Sequence, residues 1–226
     1  MGLFERFLSL EYWASVLMAV PAVIIGLTFH EYAHAWTANK LGDPTAKAMG
    51  RLTFNPLRHL SVIGTICFLL FRFGWAKPVP INPANFEKPR RGIIITSIAG
   101  PTGSLIIAVA FAILARLLSL FLPPDPSSLL SSYVYSILVY GTILNILFFF
   151  FNLIPIPPLD GSQILFNLLP ARYANVYQFL QRFGFFILIG FIVLFRGIFW
   201  LILGTPTLFL SHLLVGNRIL SIIQSI

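Results

Sequence analysis

The sequence predicts an all-α polytopic membrane protein, with about five or six transmembrane helices and a small, partly membrane-immersed β-sheet or re-entrant segment between the first two. Of its 226 residues, 58% are hydrophobic and only 10% are charged, against about 25% charged in an average soluble domain. Four apolar runs, at 10–36, 93–122, 129–153 and 183–203, each reach the roughly 20 residues that a helix needs to cross a bilayer. We expect one membrane-embedded domain over residues 1–226.

The distribution of basic residues predicts the orientation of these helices. The basic residues that carry this prediction are Lys40, Lys47, Arg51 and Arg58 after the first run, Lys77, Lys88, Arg90 and Arg91 before the second, and Arg172 and Arg182 before the fourth. The loop at 123–128 carries only Asp125. Because basic residues concentrate in cytoplasmic loops, we expect a multi-pass protein of the cell membrane with its N-terminus outside. The net charge of +8 then reflects membrane topology, and we expect no nucleic-acid partner.

The segment between the first two long runs is predicted not to cross the membrane. The apolar run at 60–71 has only 12 residues, so a re-entrant or interfacial segment is favoured. Before it, residues 46–55 alternate small or apolar side chains with polar ones, a period that is typical of a strand. After it, the prolines of 76–83 favour an extended chain at a sheet edge. We therefore expect the small sheet here.

The C-terminal part allows two arrangements. The run at 183–203 is expected to span outward, with Arg196 snorkelling or buried inside it. The following stretch, 206–226, is apolar but contains His212, Asn217 and Arg218. It could return across the bilayer or lie along its surface.

Three ionisable residues end the first apolar run, in the sequence HEYAH. A charged side chain costs about 2.5–3.5 kcal/mol at the centre of a membrane helix on insertion scales, so it usually has a function. His30 and His34 are four residues apart and lie on one helix face, where two imidazoles can bind one Zn²⁺, and Glu31 beside them can act as a general base. The alternative is three polar residues that only pack against neighbours. The single cysteine, Cys67, excludes a cysteine-built metal site.

A catalytic zinc ion usually has three protein ligands, and Asp160 is the best candidate for the third. It follows the third long run at the same membrane side as His34, in a stretch that Pro155, Pro157 and Pro158 interrupt. Broken helices within the apolar zone occur only where the backbone is buried in protein or lines a wet cavity. The alternative is an aspartate that caps a helix. His59 and His212 are more simply explained as hydrogen-bonding residues than as ligands.

The two motifs HEYAH and NLIPIPPLDG, about 125 residues apart, resemble those of the site-2 protease family of intramembrane zinc metalloproteases. Together with GRLTFNP, GWAKPVPIN and AGPTGS, they are similar to the compact bacterial and archaeal members without PDZ or CBS domains. The resemblance implies one Zn²⁺ per chain, held by His30, His34 and Asp160. It also implies that Glu31 is the catalytic acid/base and that Asn152 positions the substrate.

Two positions depart from the family pattern. Ser104 stands where the family commonly has Asn, and Ser61 stands where compact relatives often have Asp. We expect the first to affect a polar contact near the substrate channel and the second the re-entrant region. The pairs Ala99/Gly103 and Gly100/Ser104 also suit close packing of membrane helices, and we expect packing rather than catalysis from them.

These observations predict a zinc endopeptidase that cleaves a single-span membrane protein within or near its transmembrane segment, near the cytoplasmic face. We expect Gly50, Leu52 and Phe54 to bind the unwound substrate by strand addition. The main alternative is a metal-ion or proton transporter that uses the same buried cluster, and a second is a membrane scaffold without activity. The sequence leaves the oligomeric state open.

Overall fold

The computed structural model describes residues 9–71, 74–125 and 127–221. Its helices, in chain order, are α1 (Leu10–Lys40), α2 (Thr45–Ala48), α3 (Val62–Phe71), α4 (Pro89–Phe121), α5 (Leu129–Asn152), α6 (Asp160–Leu168), α7 (Ala174–Leu194), α8 (Arg196–Phe199), a π-helix (Trp200–Gly204), α9 (Thr205–Val215) and α10 (Asn217–Leu220). Three 3₁₀ turns accompany them, at Pro56–Arg58, Pro83–Asn85 and Ala171–Tyr173. The predicted all-α class is confirmed.

Among the described residues, five helical segments are long and apolar enough to cross a membrane. They are Tyr12–Lys40, Pro89–Phe121, Leu129–Asn152, Ala174–Leu194 and Arg196–Val215. The prediction of about five or six transmembrane helices is therefore confirmed. The 10-residue helix α3 is not among them, in agreement with a segment that does not span, because 10 residues rise only about 15 Å.

The predicted boundaries of the last spans are wrong. A single run at 183–203 does not cross with Arg196 inside it, because the chain leaves helical geometry at Phe195, where φ is −116° and ψ is 41°. Arg196 begins the fifth apolar segment. A charge at the end of a membrane helix can reach the interface, which costs less than a charge at its centre.

The predicted β-sheet is also wrong. Among the described residues there is no strand, and the one antiparallel bridge joins Leu60 and Ala76. Residues Thr45–Ala48 form helix α2, and Gly50 then turns the chain with a φ of +65°. Asn55 accepts a hydrogen bond from the Leu57 N–H and so caps the next 3₁₀ turn. Local turn chemistry at Gly and Asn thus overrides the alternating pattern.

Helices α1, α4 and α5 pack against one another, and α6 packs against α4. Small residues of α4 permit close approach to α1. A Cβ atom on Gly103 would lie 3.1 Å from the Cβ of Ala33 and from the Phe29 carbonyl oxygen. This is the packing role that small residues serve in membrane helices.

An extended segment, residues 76–82, crosses the end of α1 that is predicted to face the cytoplasm. We call this segment the strap. Three buried polar residues attach it: Asp43, Arg51 and His59. Asp43 accepts the Asn82 N–H over 2.7 Å, the Arg51 guanidinium donates to the Lys77 carbonyl, and the His59 carbonyl accepts the Lys77 N–H over 2.7 Å. The segment is extended as predicted, but side chains and loops hold it instead of a sheet.

Candidate metal centre

Helix α1 presents His30 and His34 on one face, one turn apart. Their Nε2 atoms are 3.1 Å from each other, and both residues are buried. The Asp160 Oδ2 atom lies 3.2 Å from Nε2 of His30 and 3.3 Å from Nε2 of His34. Three atoms that can each ligate a metal therefore form a nearly equilateral triangle.

Helix α4 fixes the orientation of both imidazoles. The Nδ1 atom of His34 is 2.7 Å from the Thr96 carbonyl oxygen, which can only accept, so His34 donates through Nδ1 and keeps a lone pair on Nε2 when it is neutral. The Nδ1 atom of His30 is 3.1 Å from the Ser104 hydroxyl oxygen. Between these two contacts, a Cβ atom on Gly100 would lie only 2.2 Å from Nε2 of His34. Only glycine at this position leaves room for the two rings.

Asp160 reaches the histidines because the chain breaks between α5 and α6. Asp160 is the first residue of α6, and the N-cap residue before it, Leu159, makes no side-chain capping bond. The next residue, Gly161, packs against the break, since a Cβ atom there would lie 2.2 Å from the Leu153 carbonyl oxygen. The Asp160 carboxylate points to His30 and His34, which is not the geometry of a helix-capping aspartate.

The triangle fits a zinc ion. Tetrahedral zinc with bonds of about 2.0–2.1 Å to nitrogen and oxygen places its ligand atoms about 3.3 Å apart. A carboxylate oxygen and an imidazole lone pair this close repel each other unless a proton or a metal cation lies between them. Among the residues that the structure describes, no group other than the two imidazoles is a hydrogen-bond partner of the buried Asp160 Oδ2 atom, which suits a metal ligand. Within the described residues, His30, His34 and Asp160 form a group that could hold a metal ion.

Glu31 is buried beside the ligand pair, and its Oε2 atom accepts the Val79 N–H of the strap over 3.0 Å. A buried carboxylate needs such a partner, because an uncompensated charge is costly away from water. The strap thus holds the Glu31 side chain, whereas α4 holds the two imidazoles.

The four residues predicted to bind substrate lie in two places. Asn152 is the last residue of α5, and its side-chain amide donates to the Phe148 carbonyl over 3.0 Å. Gly50 and Leu52 lie in the loop after α2, and Phe54 stacks on Tyr32 with ring centroids 3.9 Å apart. Without a strand in this loop, strand addition to its edge has no support, and contact of these residues with substrate stays a prediction.

Three contacts at the centre leave little signal in the amino-acid sequence. The Thr96 carbonyl and the Val79 N–H are backbone groups, which any residue type could supply. Ser104 stood out as a departure from the family pattern, and the structure places its hydroxyl against His30. His59 is fully buried, and its Nε2 atom is 2.8 Å from the Thr53 carbonyl oxygen. It belongs to the loop that holds the strap.

Comparison with known proteins agrees with this chemistry. Residues 124–195 match Peptidase family M50. The chain is 39% identical over 196 residues to a Bacillus subtilis protein named "Putative zinc metalloprotease YwhC", covering 84% of this chain and 85% of the relative. It is 26% identical over 189 residues to Rip2 of Mycolicibacterium smegmatis, covering 81% and 70%. It is 30% identical over 151 residues to MJ0611 of Methanocaldococcus jannaschii, covering 66% and 69%. The names of the last two relatives also begin with the words "Putative zinc metalloprotease".

No solved structure matches the chain. The family assignment rests instead on the similarity of sequence. It agrees with the triangle of possible metal ligands and with the apolar helices that are long enough to cross a membrane. The chain therefore belongs to Peptidase family M50, the site-2 protease family, and it is a membrane zinc metalloendopeptidase.

Proposed function

We propose that the protein hydrolyses a peptide bond within or near the transmembrane segment of a single-span membrane protein, near the cytoplasmic face. One Zn²⁺ per chain would be held by His30, His34 and Asp160. The observation that carries the proposal is the convergence of these three ligand atoms within 3.3 Å of one another. Both histidines are buried, Asp160 is partly buried, and Glu31 lies next to His30 in the sequence. Family membership gives the reaction class, and the membrane helices give the setting for the substrate.

Zinc, when bound, would act as a Lewis acid on the scissile carbonyl oxygen and on water. In hydrolysis, a water oxygen bonds to the carbonyl carbon and the bond from that carbon to nitrogen breaks. Glu31 would accept a proton from the water and return it to the departing amine. The Thr96 carbonyl and the Ser104 hydroxyl would keep the two imidazoles in place through these steps.

An apolar cavity supports a substrate that arrives from the membrane. It has a volume of about 430 Å³, and its walls come mainly from α1, α3 and α5. It reaches Leu27, one turn from His30 on α1, and Phe151, next to Asn152 on α5. An apolar segment could therefore approach the centre beside Asn152, which we propose to position the segment once it has unwound. Unwinding is needed because a helical peptide keeps its carbonyls in hydrogen bonds.

The transport alternative gains nothing from the comparisons, since the relatives are named as metalloproteases. The metal-ligand triangle alone would suit an ion path as well as an enzyme. Glu31 is the discriminating residue, because a hydrolase requires a proton acceptor next to the ligands.

Glu31→Gln tests the proposal. Gln keeps the shape of the side chain but cannot accept a proton, so we expect zinc content as in the wild type and loss of cleavage of at least about 100-fold. The measurement is zinc analysis of purified protein alongside cleavage of candidate single-span substrates in detergent or liposomes. Wild-type turnover in Glu31→Gln would contradict the proposed mechanism. Zinc-stimulated ion flux in vesicles, without cleavage by the wild type, would favour transport.

A further inference from the structure

A backbone amide of the strap contacts the side chain that we propose as acid/base. The Val79 N–H donates to Oε2 of Glu31, and both residues are buried. No described residue donates a hydrogen bond to the second carboxylate oxygen, Oε1. The two oxygens of Glu31 therefore differ: the strap fixes one of them, and the other has no donor within the described protein.

Two prolines make Val79 the only donor at this point of the strap. Pro78 and Pro80 have no N–H, and each proline also restricts the residue before it to extended conformations. Residues 77–82 accordingly have no helix or strand. The sequence Lys77-Pro78-Val79-Pro80 is thus a stiff arm with one N–H between its prolines, and that N–H is directed at Glu31.

The strap is held on both sides of Val79. On one side, the Lys77 N–H donates to the His59 carbonyl over 2.7 Å. On the other side, the Asn82 N–H donates to the Asp43 carboxylate over 2.7 Å. The donor to Glu31 is therefore positioned relative to the loops at both ends, and not only by its contact with Glu31.

We propose that the strap positions Glu31 for catalysis: the Val79 N–H holds Oε2, so that Oε1 is the oxygen that exchanges the proton. This inference rests on the proposed function, because it presupposes that Glu31 is the acid/base. Val79 is a positioning residue that acts through its backbone. A fixed carboxylate matters because a misplaced catalytic group loses rate steeply.

Replacing the Val79 amide by an ester tests the inference. Suppression of a stop codon at 79 with the α-hydroxy analogue of valine removes this N–H and keeps the side chain. We expect kcat to fall about tenfold, as for one lost hydrogen bond to a charged group, with KM and zinc affinity within twofold of the wild type. The same ester at Ile81, whose N–H makes no hydrogen bond with described residues, is the matched control and should leave kcat unchanged.

A second readout does not depend on activity. With glutamate carboxylates labelled with ¹³C, the infrared band of Glu31 is identified by its loss in Glu31→Gln. In metal-free protein, we expect the ester at 79 to shift this band and the ester at 81 to leave it in place. A shift shows that the amide acts on Glu31, whereas a purely structural strap would change KM, zinc affinity or thermal stability instead.

The outcomes separate this inference from the proposed function. If Glu31→Gln is inactive while the ester at 79 has wild-type kcat and an unshifted band, the positioning inference is wrong and the proposed function stands. If Glu31→Gln is active, the proposed function itself fails. Pro80→Ala provides a second variant if the ester protein does not fold: it keeps the N–H but loosens the arm, and a kcat equal to that of the wild type would overturn the inference.

Discussion

The carboxylate of Asp160 joins two helices that are distant in sequence. It begins α6 and makes no capping bond, and its Oδ2 atom lies within 3.3 Å of both Nε2 atoms on α1. The side chain is thus placed as an anionic partner of His30 and His34.

Asp160→Asn distinguishes the ligand role from a capping role. Asn caps a helix about as well as Asp, so a capping residue would tolerate the change. An amide is a poor zinc ligand, and only two neutral imidazoles would remain at the centre. We expect a folded protein with zinc affinity lowered at least about 100-fold and cleavage lost, as measured by competition with a chelator and by the substrate assay. Full zinc occupancy with normal cleavage would remove Asp160 from the centre.

Ser104 is expected to tune the affinity for zinc through His30. An imidazole that gives its Nε2 lone pair to a metal donates through Nδ1, and the Ser104 hydroxyl is the acceptor in place. Partners of this kind typically contribute 10–100-fold in metal affinity or activity. We expect Ser104→Ala to weaken zinc binding about tenfold, measured by chelator competition, without lowering the thermal stability of the metal-free protein.

Thr102→Ala is the matched control, because Thr102 lies on the same helix but is exposed, and its hydroxyl donates to the Ile98 carbonyl in its own helix. Its zinc affinity should equal that of the wild type. Equal zinc affinities in Ser104→Ala and Thr102→Ala would show that the hydroxyl does not orient His30.

At the scale of elements, the strap depends on the buried carboxylate of Asp43. This side chain accepts hydrogen bonds from the Thr45 N–H and hydroxyl, the Asn82 N–H and the Asn85 amide. Burial by itself would raise the pKa of Asp43, but these hydrogen bonds together outweigh it and hold the pKa below the usual value. Asp43 thus joins the loop after α1 to the far end of the strap.

The lowered pKa predicts a dependence of stability on pH. The contribution of Asp43 is fully present above the unfolded pKa of about 3.9 and is lost as pH falls through the lower folded pKa. We expect Asp43→Asn to lower the free energy of unfolding by about 2 kcal/mol at pH 7, because Asn places an amide group against donors. The difference in Tm from the wild type should shrink as pH falls below about 4.

Melting curves from pH 7 to pH 3 measure this difference. Glu87→Gln serves as the control, since Glu87 is exposed in the segment after the strap and its replacement should leave Tm unchanged throughout. A Tm difference between Asp43→Asn and the wild type that is constant with pH would contradict the assignment to the ionised carboxylate.

At the scale of the whole molecule, the described residues combine five apolar segments that are long enough to span a membrane with a cluster of His30, His34 and Asp160. The metal centre is built where α1, α4 and the break before α6 meet, and α1, α4 and α5 form the packed group around it. Orientation in the membrane follows from charge: we propose that the N-terminus is outside and that the metal centre lies toward the cytoplasm, because the basic loops adjoin α1 and α4 at that end.

Cysteine labelling tests this orientation. In a Cys67→Ala background, a membrane-impermeant maleimide applied to intact cells should modify Ser127→Cys, in the loop between α4 and α5, and spare Lys47→Cys on α2. Both positions are exposed, so access depends on the membrane side. Permeabilised cells, in which both should react, provide the control. Labelling of Lys47→Cys alone in intact cells would invert the proposed topology.

The sequence by itself determined the class of fold and the chemistry of the protein. Apolar runs of about 20 residues predict membrane helices because hydrocarbon excludes unpaired backbone groups, and the part of the chain that the structure describes contains five such segments. HEYAH and NLIPIPPLDG indicate a zinc peptidase because few residue types can ligate zinc and take up a proton. Both signals are carried by side-chain identity, so both can be read without coordinates.

Tertiary structure decided how the segment between α1 and α4 folds and what supports the metal centre. Period-two alternation at 46–55 predicted a strand, but Gly50 at positive φ and the cap at Asn55 made a helix and turns. The contacts of His34 and Glu31 with Thr96 and Val79 involve backbone groups, which leave no pattern in residue types. Such contacts exist only once α4 and the strap are packed on α1, because their partners are 62 and 48 residues apart in sequence.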